Sequence, residues 1–148
     1  MFDFFTGRSN RQEYWISVAL LIVVALVLSY FQMQAASAAI TIMWIVTWVR
    51  RLHDVDLSGW WAGLPIVILF VLVGAMIAFG GNDIVVALRA IQANDEAALA
   101  GPAGNLFLMV ALAGLVVQFG FTIWLGAKKG SPGSNKFGKP PEPIFPQR

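Results

Sequence analysis

No cysteine occurs in the chain, which excludes a disulfide, a thiolate metal site and a cysteine nucleophile together. Histidine is nearly as scarce. The single His53 leaves no His pair at zinc-helix spacing, and no Gly-rich phosphate loop is present. Charge is the third shortage: Asp, Glu, Lys and Arg supply 12% of the residues against 58% hydrophobic, with a mean hydropathy of +0.72. A soluble domain carries about a quarter charged residues, so this chain is not one.

What is abundant is apolar sequence, in four uncharged runs at 14–31, 35–49, 60–79 and 106–125. A bilayer span needs about 17 to 25 residues, so three runs are long enough. The second covers only about 22 Å as helix and must borrow neighbouring residues or thin the membrane locally. The expected fold is all-α: an integral-membrane, four-transmembrane-helix bundle in one domain over 1–127, with helices at about 10–31, 34–54, 58–79 and 104–127. Ile84, Val85, Leu88 and Ile91 are spaced as one face of a short amphipathic helix in the 80–105 loop, lying on the membrane or over the bundle. Residues 128–148, rich in Gly, Pro and polar side chains, read as an extended cytoplasmic tail. Arg8 and Arg11 before an apolar run that ends near Ala35 and Ala36 have the outline of a signal peptide. The run exceeds the usual 7 to 15 or so residues and another follows at once, so it is read as a retained first helix.

Local signals refine these elements. Phe2, Phe4 and Phe5 suit a short aromatic anchor at the headgroup level. Ser9 and Gln12 fit a capping box opening the first helix. Ser58 is placed to cap the third, with Gly59, Trp60 and Trp61 as its first turn. Pro65 is expected to kink that helix, and Gly59 with Gly63 to allow a close helix contact. Pro132 and Gly133 suit the centre of a type II turn.

With four spans and the N-terminus inside, nine of the ten basic residues are cytoplasmic and only Arg89 is outside, as the positive-inside rule requires. Trp15, Trp48, Trp60, Trp61 and Trp124 then lie toward the inner helix ends as interface anchors, an apolar seat for the ring and a wet partner for the N–H.

Three polar segments come to one face in this topology. They are Phe5-Thr6-Gly7-Arg8 with Arg11 and Glu13-Tyr14-Trp15; Arg50-Arg51-Leu52-His53-Asp54 with Ser58-Gly59-Trp60-Trp61; and Gly130-Ser131-Pro132-Gly133-Ser134-Asn135-Lys136-Phe137-Gly138. In order and spacing they resemble the bacterial inner-membrane family called domain of unknown function 805. The resemblance implies a small multi-pass protein of the bacterial inner (plasma) membrane, and it brings no established reaction. Asn10, Gln12 and Leu57 stand where that family often carries basic residues.

The candidate ligand- or partner-binding set is Arg8, Arg11, Glu13, Arg50, Arg51, His53, Asp54 and Asn135. Arg50 and Arg51 end the second helix, where the helix dipole and the inner membrane surface both favour cations; they serve as a topology signal or as a clamp on a lipid phosphate. Asp54 stands three and four residues from these arginines, so an ion pair is expected for it ahead of shared work with His53. Glu13 should neutralise an arginine, since an unpaired carboxylate at that depth is costly. The Gly130 to Gly138 turns are either an exposed tail or a strap over the arginine and histidine cluster. No Asp, Glu, Lys, Arg or His follows Glu13 within any of the four runs, which disfavours a pump or secondary transporter.

The reading is a non-enzymatic protein that binds membrane lipids, anionic ones in particular, or a membrane-protein partner, a second copy included. No cofactor, metal or nucleic acid enters it. The alternatives are an interfacial enzyme acting on a lipid headgroup with His53 and Asp54, and a small transport or pore subunit.

Overall fold

A computed structural model describes residues 7–33, 36–95, 100–142 and 144; the aromatic anchor expected at Phe2, Phe4 and Phe5 lies outside them. The described residues form four α-helices, α1 (Arg11–Tyr30), α2 (Ser37–Asp54), α3 (Leu64–Ala93) and α4 (Pro102–Ala127), with a 3-10 helix at Gly59–Gly63 before α3. No β-strand occurs among them, only an isolated bridge between Asn135 and Gly138. Three stretches, Arg11–Tyr30, Gly59–Ala93 and Gly104–Ala127, are long and apolar enough to cross a membrane, as in a membrane protein. α2 is not among them: it has 18 residues, and its last turns carry Arg50, Arg51, His53 and Asp54.

The chain divides into two compact units, residues 1–62 with 122–148, and residues 63–121. In the first, α1 and α2 form an antiparallel hairpin, since Ser9 N–H near the start of α1 donates to Arg50 O near the end of α2 at 3.1 Å. Near its turn the hairpin leaves a cleft of about 600 Å³, to whose wall Leu28, Met33, Ile40 and Trp44 contribute. In the second unit α3 and α4 run antiparallel, Gly114 facing Leu69 and Gly80 facing Leu106.

Several local expectations are corrected. The N-cap of α1 is Asn10, not Ser9: Asn10 Oδ1 accepts from Glu13 N–H at 2.8 Å. Ser9 is occupied instead in the backbone bond to α2. Pro65 does not kink a helix interior. The segment begins as the 3-10 turn, and Pro65 falls in the first turn of α3, where its missing N–H has no partner to lose. Ser58 supports that turn, its carbonyl accepting from Trp61 N–H at 3.1 Å. Of the glycine pair, only Gly59 makes a close approach, to Val49 and His53; Gly63 faces open space. The stretch from 80 is not a loop but a continuation of α3 to Ala93, broken at Gly81 (φ 49°, ψ −127°). Ile84, Ala87 and Ala90 form the buried stripe of the second segment.

α1, α2 and α3 end in one way. Gln32, Asp56 and Asn94 take left-handed φ values of 54°, 59° and 52°. Met33, Leu57 and Asp95 N–H then reach back to Leu28, Leu52 and Ala90 O at 2.9, 2.8 and 2.9 Å, the bond pattern usually built with glycine.

Candidate functional site

The charged residues converge on Asp54, the last residue of α2. Its Oδ1 accepts from Arg8 Nε at 3.2 Å and Nη2 at 3.0 Å, and its Oδ2 from Arg51 Nη1 at 2.6 Å. All three residues are buried, Arg51 completely at 0% exposure. Such burial is tolerable only when every donor is matched, and the backbone does the matching. Arg8 Nη1 donates to Gly133 O at 2.8 Å and Gly138 O at 3.1 Å, and Nη2 to Ser131 O at 2.8 Å. With the two bonds to Asp54, the five contacts equal the five N–H groups of a guanidinium. Arg51 donates to Leu125 O and Ser9 O, each at 3.2 Å, and to Lys128 O. One carboxylate and two guanidinium groups thereby tie α1, α2, the end of α4 and the segment beyond it.

That segment, which composition reads as an extended tail, is laid back as a strap. Ser131 N–H donates to Asp54 O at 2.8 Å, and Asn135 Nδ2 to His53 O at 2.8 Å. Asn135 Oδ1 also accepts from Phe137 N–H at 2.9 Å, an Asx turn that closes the strap locally. The expected type II turn at Pro132 and Gly133 is absent; the left-handed glycine of the strap is Gly138 at φ 119°. Phe137 stacks on His53 with ring centroids 3.8 Å apart and an interplanar angle of 9°. His53 is 7% exposed and points to the strap while its neighbour Asp54 points to the arginines, so the two do not act on one atom. Lys136 reaches toward Asp56 at 4.0 Å on the outside.

Above this layer Arg50 pairs with Glu13 and donates to Arg8 O at 3.4 Å. Below it Tyr14 O–H donates to Thr122 O at 2.9 Å, and Trp48 Nε1–H to Thr122 Oγ1 at 3.2 Å. Trp48 is therefore not an interface anchor. At 2% exposure it is a core side chain, because α4 supplies its N–H with a hydroxyl that the headgroup region would otherwise have to provide. Trp15, Trp60, Trp61 and Trp124 are all substantially exposed, Trp60 most of all at 90%. Arg11 stands at the edge of the cluster, its Nη2 donating to Ala127 O at 2.7 Å.

All eight candidate residues thus belong to one end of the first unit, reached from three distant stretches of chain. The match to a known family covers the same stretches: the pattern described as "Protein of unknown function (DUF805)" spans residues 2–139. The chain belongs to the DUF805 family. No curated protein and no solved structure matches it. The three segments inside that span are thereby given a physical content, since the first supplies Arg8, the second Arg51 and Asp54, and the third the carbonyls that saturate Arg8.

Sequence reasoning did not find Thr122, Phe137 as the partner of His53, or the carbonyls of Leu125 and Lys128. A hydroxyl in an otherwise apolar run was the available signal for Thr122; the carbonyls leave none. Gly130 carries a sharper one. A Cβ there would lie 2.8 Å from Asp54 Cγ and 3.1 Å from Oδ1, below ordinary contact distance. The carboxylate is held by three N–H groups and cannot swing away. Gly130→Ala is expected to destabilise the unit by about 1–3 kcal/mol, the usual range for overpacking, and to make the strap protease-sensitive. Gly133→Ala, with nothing within 4 Å, should do neither, and equal cleavage of the two variants would refute the contact.

Proposed function

We propose that the protein is a multi-pass protein of the bacterial inner membrane, with four spans and both ends cytoplasmic, which binds anionic lipid at its cytoplasmic face and catalyses no reaction. The observation that carries this reading is the gathering of the three polar segments at one end of an apolar helical unit, where cations outnumber carboxylates. Arg8, Arg11, Arg50, Arg51, Lys128, Lys129, Lys136 and Lys139 stand against Glu13, Asp54, Asp56 and Glu142. A positive surface at the end of membrane helices is attracted to anionic headgroups.

The fourth span is supported by the hairpin. α1 is long and apolar enough to cross, and Ser9 and Glu13 at its start meet Arg50 near the end of α2. α2 must therefore return over the distance that α1 covers, and its 18 residues reach about 27 Å of a core of about 30 Å. Burial of His53 under Phe137 counts against the headgroup enzyme, because a general base needs a nitrogen within reach of a substrate proton. Arg8 and Arg51 are committed to internal acceptors and hold the platform together; the ligand falls to cations outside them.

Native mass spectrometry of gently extracted protein tests the reading. Anionic phospholipid should be retained in preference to zwitterionic lipid, and equal retention of the two overturns it. A stoichiometric protein partner or second copy in place of lipid would also overturn it. The absence of cysteine allows the topology to be read with single substitutions. Gln32→Cys should react with an impermeant maleimide from the outside and Asp56→Cys should not; labelling of both from one side removes the second span.

A further inference from the structure

Arg8 and Arg51 are spent on internal acceptors, which leaves open which cations meet a lipid. Arg11 and Lys128 have the right form. Arg11 is exposed and opens α1; Lys128 follows Ala127, the last residue of α4. Arg11 Nη2 touches Ala127 O at 2.7 Å, so the two cations are neighbours although more than a hundred residues apart in sequence. No carboxylate pairs with either among the described residues, because Glu13 faces Arg50, Asp54 faces Arg8 and Arg51, and Asp56 faces Lys136.

Each cation has a tryptophan four residues away toward the apolar body of its helix, Trp15 after Arg11 and Trp124 before Lys128. α1 leaves this end and α4 arrives at it, so in both the cation is outermost along the chain and the backbone of the tryptophan about 6 Å deeper. Lys128 Nζ sits 4.2 Å from the centroid of the Trp124 ring, a cation–π distance. Trp15 packs against Gly126, where a Cβ would overlap its ring. The two rings are 39% and 42% exposed, and Ile16 and Ile123 beside them are exposed as well.

We infer that Arg11 and Lys128, framed by Trp15 and Trp124, seat the phosphate of an anionic phospholipid whose chains run along Ile16 and Ile123. The inference rests on the proposed lipid binding and gives it a place. A guanidinium offers a planar fork to phosphate oxygens and an ammonium a point charge; Arg11, exposed, spends one N–H on Ala127 O. The exposed rings and isoleucines one turn deeper assign the anion to a lipid rather than to free phosphate, because a soluble ion has no use for an apolar bed.

The test uses the full chain in mild detergent, with retention of phosphatidylglycerol against phosphatidylcholine read by native mass spectrometry. Lys128→Gln is the clean variant, since Arg51 is held by the carbonyl of residue 128 and not by its side chain. A cation near an anionic surface is worth about 1 kcal/mol, so Lys128→Gln and Arg11→Gln should each lower phosphatidylglycerol retention about fivefold, and the pair roughly 25-fold. Arg11→Lys should retain most of it. Arg89→Gln, an equal loss of charge to either single variant at an exposed cation outside this set, should leave retention within about twofold of the unmodified protein. Absence of any phosphatidylglycerol preference in the unmodified protein overturns both this site and lipid binding. A preference that survives the double Arg11 and Lys128 variant overturns the site alone. Displacement of phosphatidylglycerol by an equal concentration of glycerol 3-phosphate overturns the lipid assignment, since the headgroup would then suffice.

Discussion

Asp54→Asn is expected to destabilise the unit formed by α1, α2, the end of α4 and the strap by about 3–5 kcal/mol, the cost of removing one partner from a buried ionic group. The side chain barely changes size, so packing is not the cause. Asp54 receives three N–H contacts from two guanidinium groups, and the amide presents an NH2 to one of those positions, donor against donor. Arg8 and Arg51 then stay buried with no counter-charge. The backbone bond from Ser131 N–H to Asp54 O is untouched by the change, which separates loss of charge from loss of contact. Denaturant unfolding in mild detergent, followed by the fluorescence of the buried Trp48, should show the fall in midpoint, and trypsin should cut earlier at Lys129 and Lys136. An unchanged midpoint would mean that the carboxylate is not the keystone of this end.

The same residues show how far the sequence could be read. Long apolar runs, each with its own composition, made the helices legible, because span length and charge content are local properties. Asp54 with Arg51 was legible for the same reason, three residues apart on one helix. Arg8 was not assigned to Asp54, since 46 residues separate them and no local rule spans that distance. Helix boundaries failed where the deciding partner was remote or the residue type unusual. Ser9 is the better cap by pattern yet is held by α2, and Gln32 and Asp56 close helices in a conformation normally left to glycine. The continuation of α3 past residue 80 was hidden by Gly80, Gly81, Asn82 and Asp83, which read as a loop. Gly81 does break the helix, but only at one residue, and helical geometry resumes behind it. Trp48 misled through composition: a tryptophan near a helix end suits the membrane interface, and only Thr122 from α4 reveals that its N–H is satisfied inside.

Arg8→Lys separates charge from geometry at the same centre. The substitution keeps the positive charge opposite Asp54, so an electrostatic account alone expects little change. The structure expects more. Arg8 makes five contacts to four acceptors, two to Asp54 Oδ1 and one each to the carbonyls of Ser131, Gly133 and Gly138, and the planar fork is what makes this reach possible. A lysine offers three donors from one nitrogen. It can satisfy Asp54 or the strap carbonyls, not both, and leaves at least one acceptor unmatched at about 1–3 kcal/mol. The loss should be about 1–3 kcal/mol, concentrated in the strap, where amide hydrogen exchange at Ser131 and Asn135 should accelerate while the Tyr14, Trp48 and Thr122 layer stays protected. Arg11→Lys, at an exposed position with one N–H bond to Ala127 O, should cost less than about 1 kcal/mol. Similar costs for the two substitutions would show that this end of the molecule is held by its charge, and that the fork of Arg8 is incidental to the closure of the strap.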